Sequence, residues 1–342
     1  MENILFTPSK IGPVSLRNRI VLPPMCQYSA GDMGLANPYH TAHYGVRALA
    51  GAALTILEAT AVTADGRISG CDLGLWDDAH VEPLARLAET IAYFGSVPAV
   101  QLGHAGRKSW AGVDRLLAPS AVAFSPEHRV PEAMSISDIA EAIDAFAEAT
   151  RRAVAAGYKV MELHGAHGYL IHQFISPLSN RRTDRYGGSR ENRHRFLKET
   201  VAACQPHIGP DCALTVRVSA SEYDANGYTL EDIIALCLEL EAMGMAAIHV
   251  SSGGSVPVRP EVWPGYQLPL ARAIKQSVAI PVIAVGLLGE PSLAEYALRN
   301  QDCDLVAVGR AYLHDAQWPV RAAKALEADL PIPEPMKKAL LR

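Results

Sequence analysis

The chain has 342 residues, 49% of them hydrophobic and 20% charged, with a formal net charge of −5. That length buries a large core, and mild acidity without a basic cluster argues against nucleic acid as a partner. No apolar run is long enough to span a membrane, Met1–Phe6 shows no basic-then-apolar leader, and the six scattered cysteines include no C-x-x-C pair. The expectation is a cytoplasmic protein with reduced thiols, no disulfide framework and no iron–sulfur site.

Taken in order, residues 1–18 come first, and Gly12-Pro13 reads as a turn that predicts a short hairpin closing a barrel floor. From residue 19 onward short apolar runs alternate with helical patterns. The predicted strands are Ile20–Pro23, Leu54–Ala61, Val97–Gly103, Val160–His164, Ala213–Val218, Ala246–Val250, Pro281–Val285 and Leu305–Val308. Between them, Ile139, Ala142, Ile143, Phe146, Ala149, Ala153 and Val154 keep one helix face apolar up to a stop at Gly157. Thr229-Leu-Glu-Asp232 resembles a capping box, and Ile233, Leu236, Leu240 and Met243 carry its stripe to Gly244. Eight strand–helix units without a sequence repeat predict a single (β/α)8 TIM barrel over 1–342, with a doubly wound sheet as the alternative. Residues 105–136 form a long rim loop interrupted by Gly112, Pro119, Pro126 and Pro131. The stretch 176–195 is polar and arginine-rich, and Arg181, Arg182, Arg185 and Arg190 read as loop-ordering residues with Asp184 and Glu191 nearby. Pro331–Pro335 breaks the last helical pattern, so 329–342 is expected to lead away as an extended arm.

In such a barrel the C-terminal strand ends converge on one mouth. There stand Pro23, Pro24, Met25, Cys26 and Tyr28, then Ala59, Gln101, Arg217, Gly286, Gly309 and Arg310. The stretch His164-Gly-Ala-His167-Gly-Tyr169 is the centre of the group. Two imidazoles hold a carbonyl oxygen where negative charge develops, and a phenol delivers a proton. A metal-binding pair or satisfied core histidines are the alternatives, and the shortage of carboxylates at the strand ends weakens the metal reading. Glycines in the last two strands, with Arg310, suit a phosphate. A flat heterocycle with a phosphate tail fits this inventory, and FMN is the natural candidate, with Gln101 at its pyrimidine edge and Arg217 near its negative charge. No G-x-G-x-x-G follows a strand, which argues against a resident dinucleotide.

Several longer motifs extend the reading: P-P-M-C-Q-Y at 23–28, E-A-T-A-V at 58–62, Q-L-G-H-A-G-R-K at 101–108, H-G-A-H-G-Y-L-I-H-Q-F at 164–174, N-R-R-T-D-R-Y-G-G-S-R-E-N-R at 180–193 and V-G-R at 308–310. By these the chain resembles the old yellow enzyme family of FMN-dependent ene-reductases, in its thermophilic-like branch with the xenobiotic reductases. The resemblance implies that Pro23, Pro24, Met25, Cys26, Ala59, Gln101, Arg217, Gly286, Gly309 and Arg310 hold a tightly bound FMN. It implies that His164 and His167 bind the oxygen of an enone or nitro compound, that Tyr169 donates the proton, that Tyr28 shapes the pocket, and that Cys26 tunes the flavin. NADPH or NADH is then the co-substrate of a ping-pong cycle. A homodimer or homotetramer is expected, and in the branch this chain resembles the tail places an arginine at a neighbouring mouth; Arg342 and Lys338 are the candidates here. The chain lacks the iron–sulfur cysteines of the large family members, which disfavours dienoyl-CoA-type chemistry. An FMN dehydrogenase working in the oxidative direction and a redox sensor switched by Cys26 are the competing functions.

Overall fold

Gly12 adopts φ +54°, a left-handed conformation open to glycine, and so lets β1 (Ser9–Ile11) turn back antiparallel onto β2 (Val14–Leu16). In the computed structural model, which describes residues 3–335 and 338, this hairpin leads into a barrel. In chain order the elements that follow are β3 (Ile20–Leu22), α1 (Pro38–Leu49), β4 (Leu54–Ala61), α2 (Val81–Tyr93) and β5 (Val97–Gly103). Next come the short β6 (Leu117–Ala118) and β7 (Glu132–Ala133), α3 (Ile136–Ala155), β8 (Val160–Gly165), α4 (Leu170–Ile175) and α5 (Arg190–Cys204). The rest are β9 (Ala213–Ser219), α6 (Leu230–Ala242), β10 (Ile248–Ser251), α7 (Leu268–Lys275), β11 (Val282–Ala284), α8 (Pro291–Arg299), β12 (Leu305–Ala307), α9 (Arg310–His314) and α10 (Trp318–Ala325).

The closed barrel runs β3-β4-β5-β8-β9-β10-β11-β12 and back to β3, every pair parallel, which rules out the doubly wound alternative. Strand alternation divides the apolar residues into two bodies. One packs the strands against the helices. The other fills the barrel floor, where Ile11, Val14 and Leu16 of the hairpin meet Val21, Ala99, Val160, Ala213 and Leu305. The predicted helix signals hold: Thr229 and Asp232 form a reciprocal capping box on α6, and Gly157 and Gly244 follow their helices with φ +90° and +88°.

The long rim loop is not featureless. β6 and β7 pair within it, and Arg182 ties it to the next loop by donating to Pro119 O at 2.9 Å and Met134 O at 2.6 Å. Arg182 also pairs with Asp184, as expected of a loop-ordering residue. The tail departs from expectation. Leu330 and Ile332 do not lead away; they bury against Ala50, Val320 and Ala323, because two large apolar side chains gain more on the barrel than in water. Glu334 and Pro335 then open a helical turn, a position proline tolerates because its missing N–H has no helical partner there. Lys338 is exposed, and Arg342 lies outside the described residues. Among the described residues no helix is long and apolar enough to cross a membrane.

Candidate active site

At the end of β8 the chain makes a tight turn that brings three proton-bearing side chains together. His164 and His167 stand edge to face with ring centroids 5.2 Å apart, and the Tyr169 ring lies 4.9 Å from His164. The turn needs His167 at φ +59°, which costs a non-glycine residue. Hydrogen bonds hold it there: His167 N donates to Ser219 Oγ at 3.0 Å, Lys108 Nζ to His167 O at 2.8 Å, and Gly168 N to His172 Nδ1 at 2.8 Å. At Gly168, with φ +75°, a Cβ would lie 2.0 Å from Gly254 O, so the loop after β10 presses directly on the turn.

The hydrogen bonds also determine which atoms are left over. His167 Nε2 is bonded to Ser251 Oγ at 2.7 Å, and His164 Nδ1 is buried without a partner. Among the described residues, His164 Nε2, His167 Nδ1 and the Tyr169 hydroxyl have no hydrogen-bond partner. Burial, reinforced by Arg217, lowers both imidazoles well below the usual histidine range, so both are neutral donors near pH 7. Burial, and then the nearby Cys26, raises the Tyr169 phenol, so it keeps its proton.

Beside this cluster lies a cavity of about 510 Å³ lined by Pro23, Pro24, Met25, Arg217, Gly286, Gly309 and Arg310. Six of the seven come from three separate strand ends and one from β9, and all were expected together. Arg217 is only 7% exposed, donates to no group among the described residues, and its Nε is buried without a partner. A guanidinium is costly to bury unless an electron-rich group meets it. Arg310 is exposed at the cavity edge, at the start of α9. Ala59 and Gln101 are paired neighbours on β4 and β5, and Gln101 Nε2 donates to Glu162 Oε1 at 2.8 Å. Cys26 packs with Tyr169 against Ala59, Ile68 and Ala105. Burial, then Glu58 and Asp72, push its thiol up to about 12, so it keeps its proton near neutral pH. Tyr28, at φ +52°, lies 5.8 Å from the exposed Trp110.

Lys108 had no role in the sequence reading. Its Nζ donates to His167 O and, at 3.1 Å, to Gly254 O, and it lies 5.2 Å from the Tyr169 ring. Burial, then Arg107, bring it down to about 8. Glu162 and His249 were missed as well, whereas Ser251 stood among the expected strand-end residues.

Residues 4–329 match the NADH:flavin oxidoreductase / NADH oxidase family. The chain belongs to that family. It is 46% identical over 327 residues to an NADPH dehydrogenase of Geobacillus sp. (strain WCH70), covering 95% of each chain. Among solved structures it is similar to morphinone reductase, with TM-score 0.83 and 27% identity over 98% of this chain and 93% of that one. It is also similar to a 2-naphthoyl-CoA reductase in complex with 2-naphthoyl-CoA, with TM-score 0.90 and 25% identity over 95% of this chain. The chain spans about half the length of that reductase, 53%. The protein is therefore an FMN oxidoreductase of old yellow enzyme type that takes its electrons from a nicotinamide dinucleotide. The residues fit that cofactor: Gly286 and Gly309 bring bare strand-end backbone to the cavity wall, and a buried Arg217 whose Nε has no partner lines it.

Proposed function

We propose that the protein is an NAD(P)H-dependent ene-reductase acting on α,β-unsaturated carbonyl or nitro compounds. One observation carries the reading. Among the described residues, His164 Nε2, His167 Nδ1 and the Tyr169 hydroxyl are unpartnered and side by side, and His167 is bonded to Ser251, which lines the cavity suited to FMN.

Pro23, Pro24, Met25, Cys26 and Ala59 would flank the flavin ring, Gln101 would meet its pyrimidine edge, and Gly286, Gly309 and Arg310 would take the phosphate. Arg217 would stabilise negative charge on the ring. When bound, FMN would supply the hydride chemistry that links the nicotinamide to the β-carbon of the alkene. The two imidazoles hold the substrate oxygen and donate to it as enolate charge develops, an effect of roughly 3 kcal/mol per lost donor. Tyr169 protonates the α-carbon; its raised pKa keeps the proton available across the neutral range. Tyr28 shapes the substrate end of the pocket. The protonated state of Cys26 speaks against the sensor reading.

Anaerobic addition of NADPH should bleach the yellow holoenzyme, and cyclohexenone should then restore its colour. With Tyr169→Phe the bleaching rate should stay within about twofold while recolouring slows at least tenfold. Recolouring by oxygen alone, with enone inert, would refute the substrate class.

A further inference from the structure

Two residues down the barrel from His164 lies a buried polar group that the proposed chemistry leaves unused. Glu162 is fully buried, on the inward face of β8 that also carries Val160 and His164. Its Oε1 accepts from Gln101 Nε2 at 2.8 Å, and its Oε2 from His249 Nδ1 at 2.8 Å. Burial, and then the charge of Arg217, lower the His249 pKa, so the ring is neutral with its one proton on Nδ1, facing Glu162. Its Nε2 is buried without a partner.

A carboxylate only accepts, so the amide nitrogen of Gln101, and not its oxygen, must face Glu162. A free glutamine amide turns over readily; this one is locked by the carboxylate, and the carboxylate is locked in turn by His249. Gln101 Oε1 accepts from no group among the described residues. A buried carboxylate hydrogen-bonded to one amide and one neutral imidazole, with only the charge of Arg217 nearby and no lysine or arginine in salt-bridge contact among the described residues, is an expensive way to fill a barrel. Packing alone does not call for it.

We propose that Glu162 and His249 are positioning residues for the flavin. They hold the Gln101 amide in one of its two orientations, so that it offers a fixed hydrogen-bond pattern to the pyrimidine edge of FMN, and through it they set the potential of the bound flavin. The proposal rests on the reading that Gln101 meets the ring.

The test measures the midpoint potential of the full-length holoenzyme by dye equilibration and the FMN Kd by fluorescence titration of the apoprotein. Gln101→Leu should shift the potential; if it does not, Gln101 is not at the flavin and the underlying reading falls with the proposal. Glu162→Gln should shift the potential and weaken FMN binding about tenfold, the effect of one ordinary hydrogen bond. In the Gln101→Leu background the same change should add nothing. A shift of equal size there would mean that Glu162 acts through space, and would overturn the proposal, as would parental values for Glu162→Gln alone. Should Glu162→Gln not fold, the His249 pair decides. His249→Asn, which keeps a donor near the Nδ1 position, should retain the parental potential, and His249→Leu should not; identical potentials for the two would overturn it.

Discussion

Glu58 shows how much one side chain does here. It is wholly buried in β4, accepts from Gln27 N at 2.7 Å and from the Tyr44 hydroxyl at 3.2 Å, and so anchors the segment that carries Cys26 and Tyr28. Burial pushes its carboxyl up to about 7. Between the ordinary carboxylate range and pH 7 the folded protein keeps a proton that the unfolded chain has lost. The stabilisation is therefore complete below about pH 4.5 and is lost as pH rises through about 7, a swing on the order of 3 kcal/mol. Urea midpoints at pH 5 and pH 8 should separate widely for the parent and much less for Glu58→Gln; equal separations would contradict the assignment. Nothing around Glu58 in the sequence announces this role, since its partner Gln27 is 31 residues away. The motif residues His164, His167 and Tyr169, by contrast, were legible because a polar trio leaving an apolar strand has few bland explanations.

At the scale of elements, the strands were legible because apolar runs bounded by glycine and proline have few other readings; the boundaries of β4 and β5 agree to the residue. The contacts between strand-end loops were not, because they join distant segments. Lys108 reaches His167 from 59 residues away, and Gly254 presses on Gly168 across the mouth. Glu162 and His249 were passed over for a related reason: each sits inside a run that reads as apolar, and only the inward face of the strand reveals its partner. The turn after β8 gives a direct prediction. Gly168→Ala adds a Cβ 2.0 Å from Gly254 O at φ +75°, so it should lower stability by about 2–4 kcal/mol and also disturb the imidazole pair. Thermal melts and phenol-induced charge-transfer absorbance check the two effects. A variant with parental values in both would show that the loops are not pressed together.

Over the whole molecule the family match runs from residue 4 to 329 and stops where the tail begins. Leu330 and Ile332 dock that tail onto its own barrel, and Lys338 is exposed beyond them. We propose that the last residues reach a neighbouring subunit. Deleting 336–342 should then raise the KM for enone or nicotinamide, or loosen a dimer or tetramer, with FMN retained; unchanged kinetics and sedimentation would remove the support for a crossing tail. Arg342 belongs to that test, since no local pattern distinguishes it from Lys338 in the sequence. The β1–β2 hairpin has a consequence at the same scale. Ile11, Val14 and Leu16 fill the barrel floor with apolar side chains, so the proposed chemistry is confined to the strand-end face. On the proposed reading reductant and oxidant share that face, and each in excess should act as a competitive inhibitor of the other, visible as substrate inhibition in initial rates.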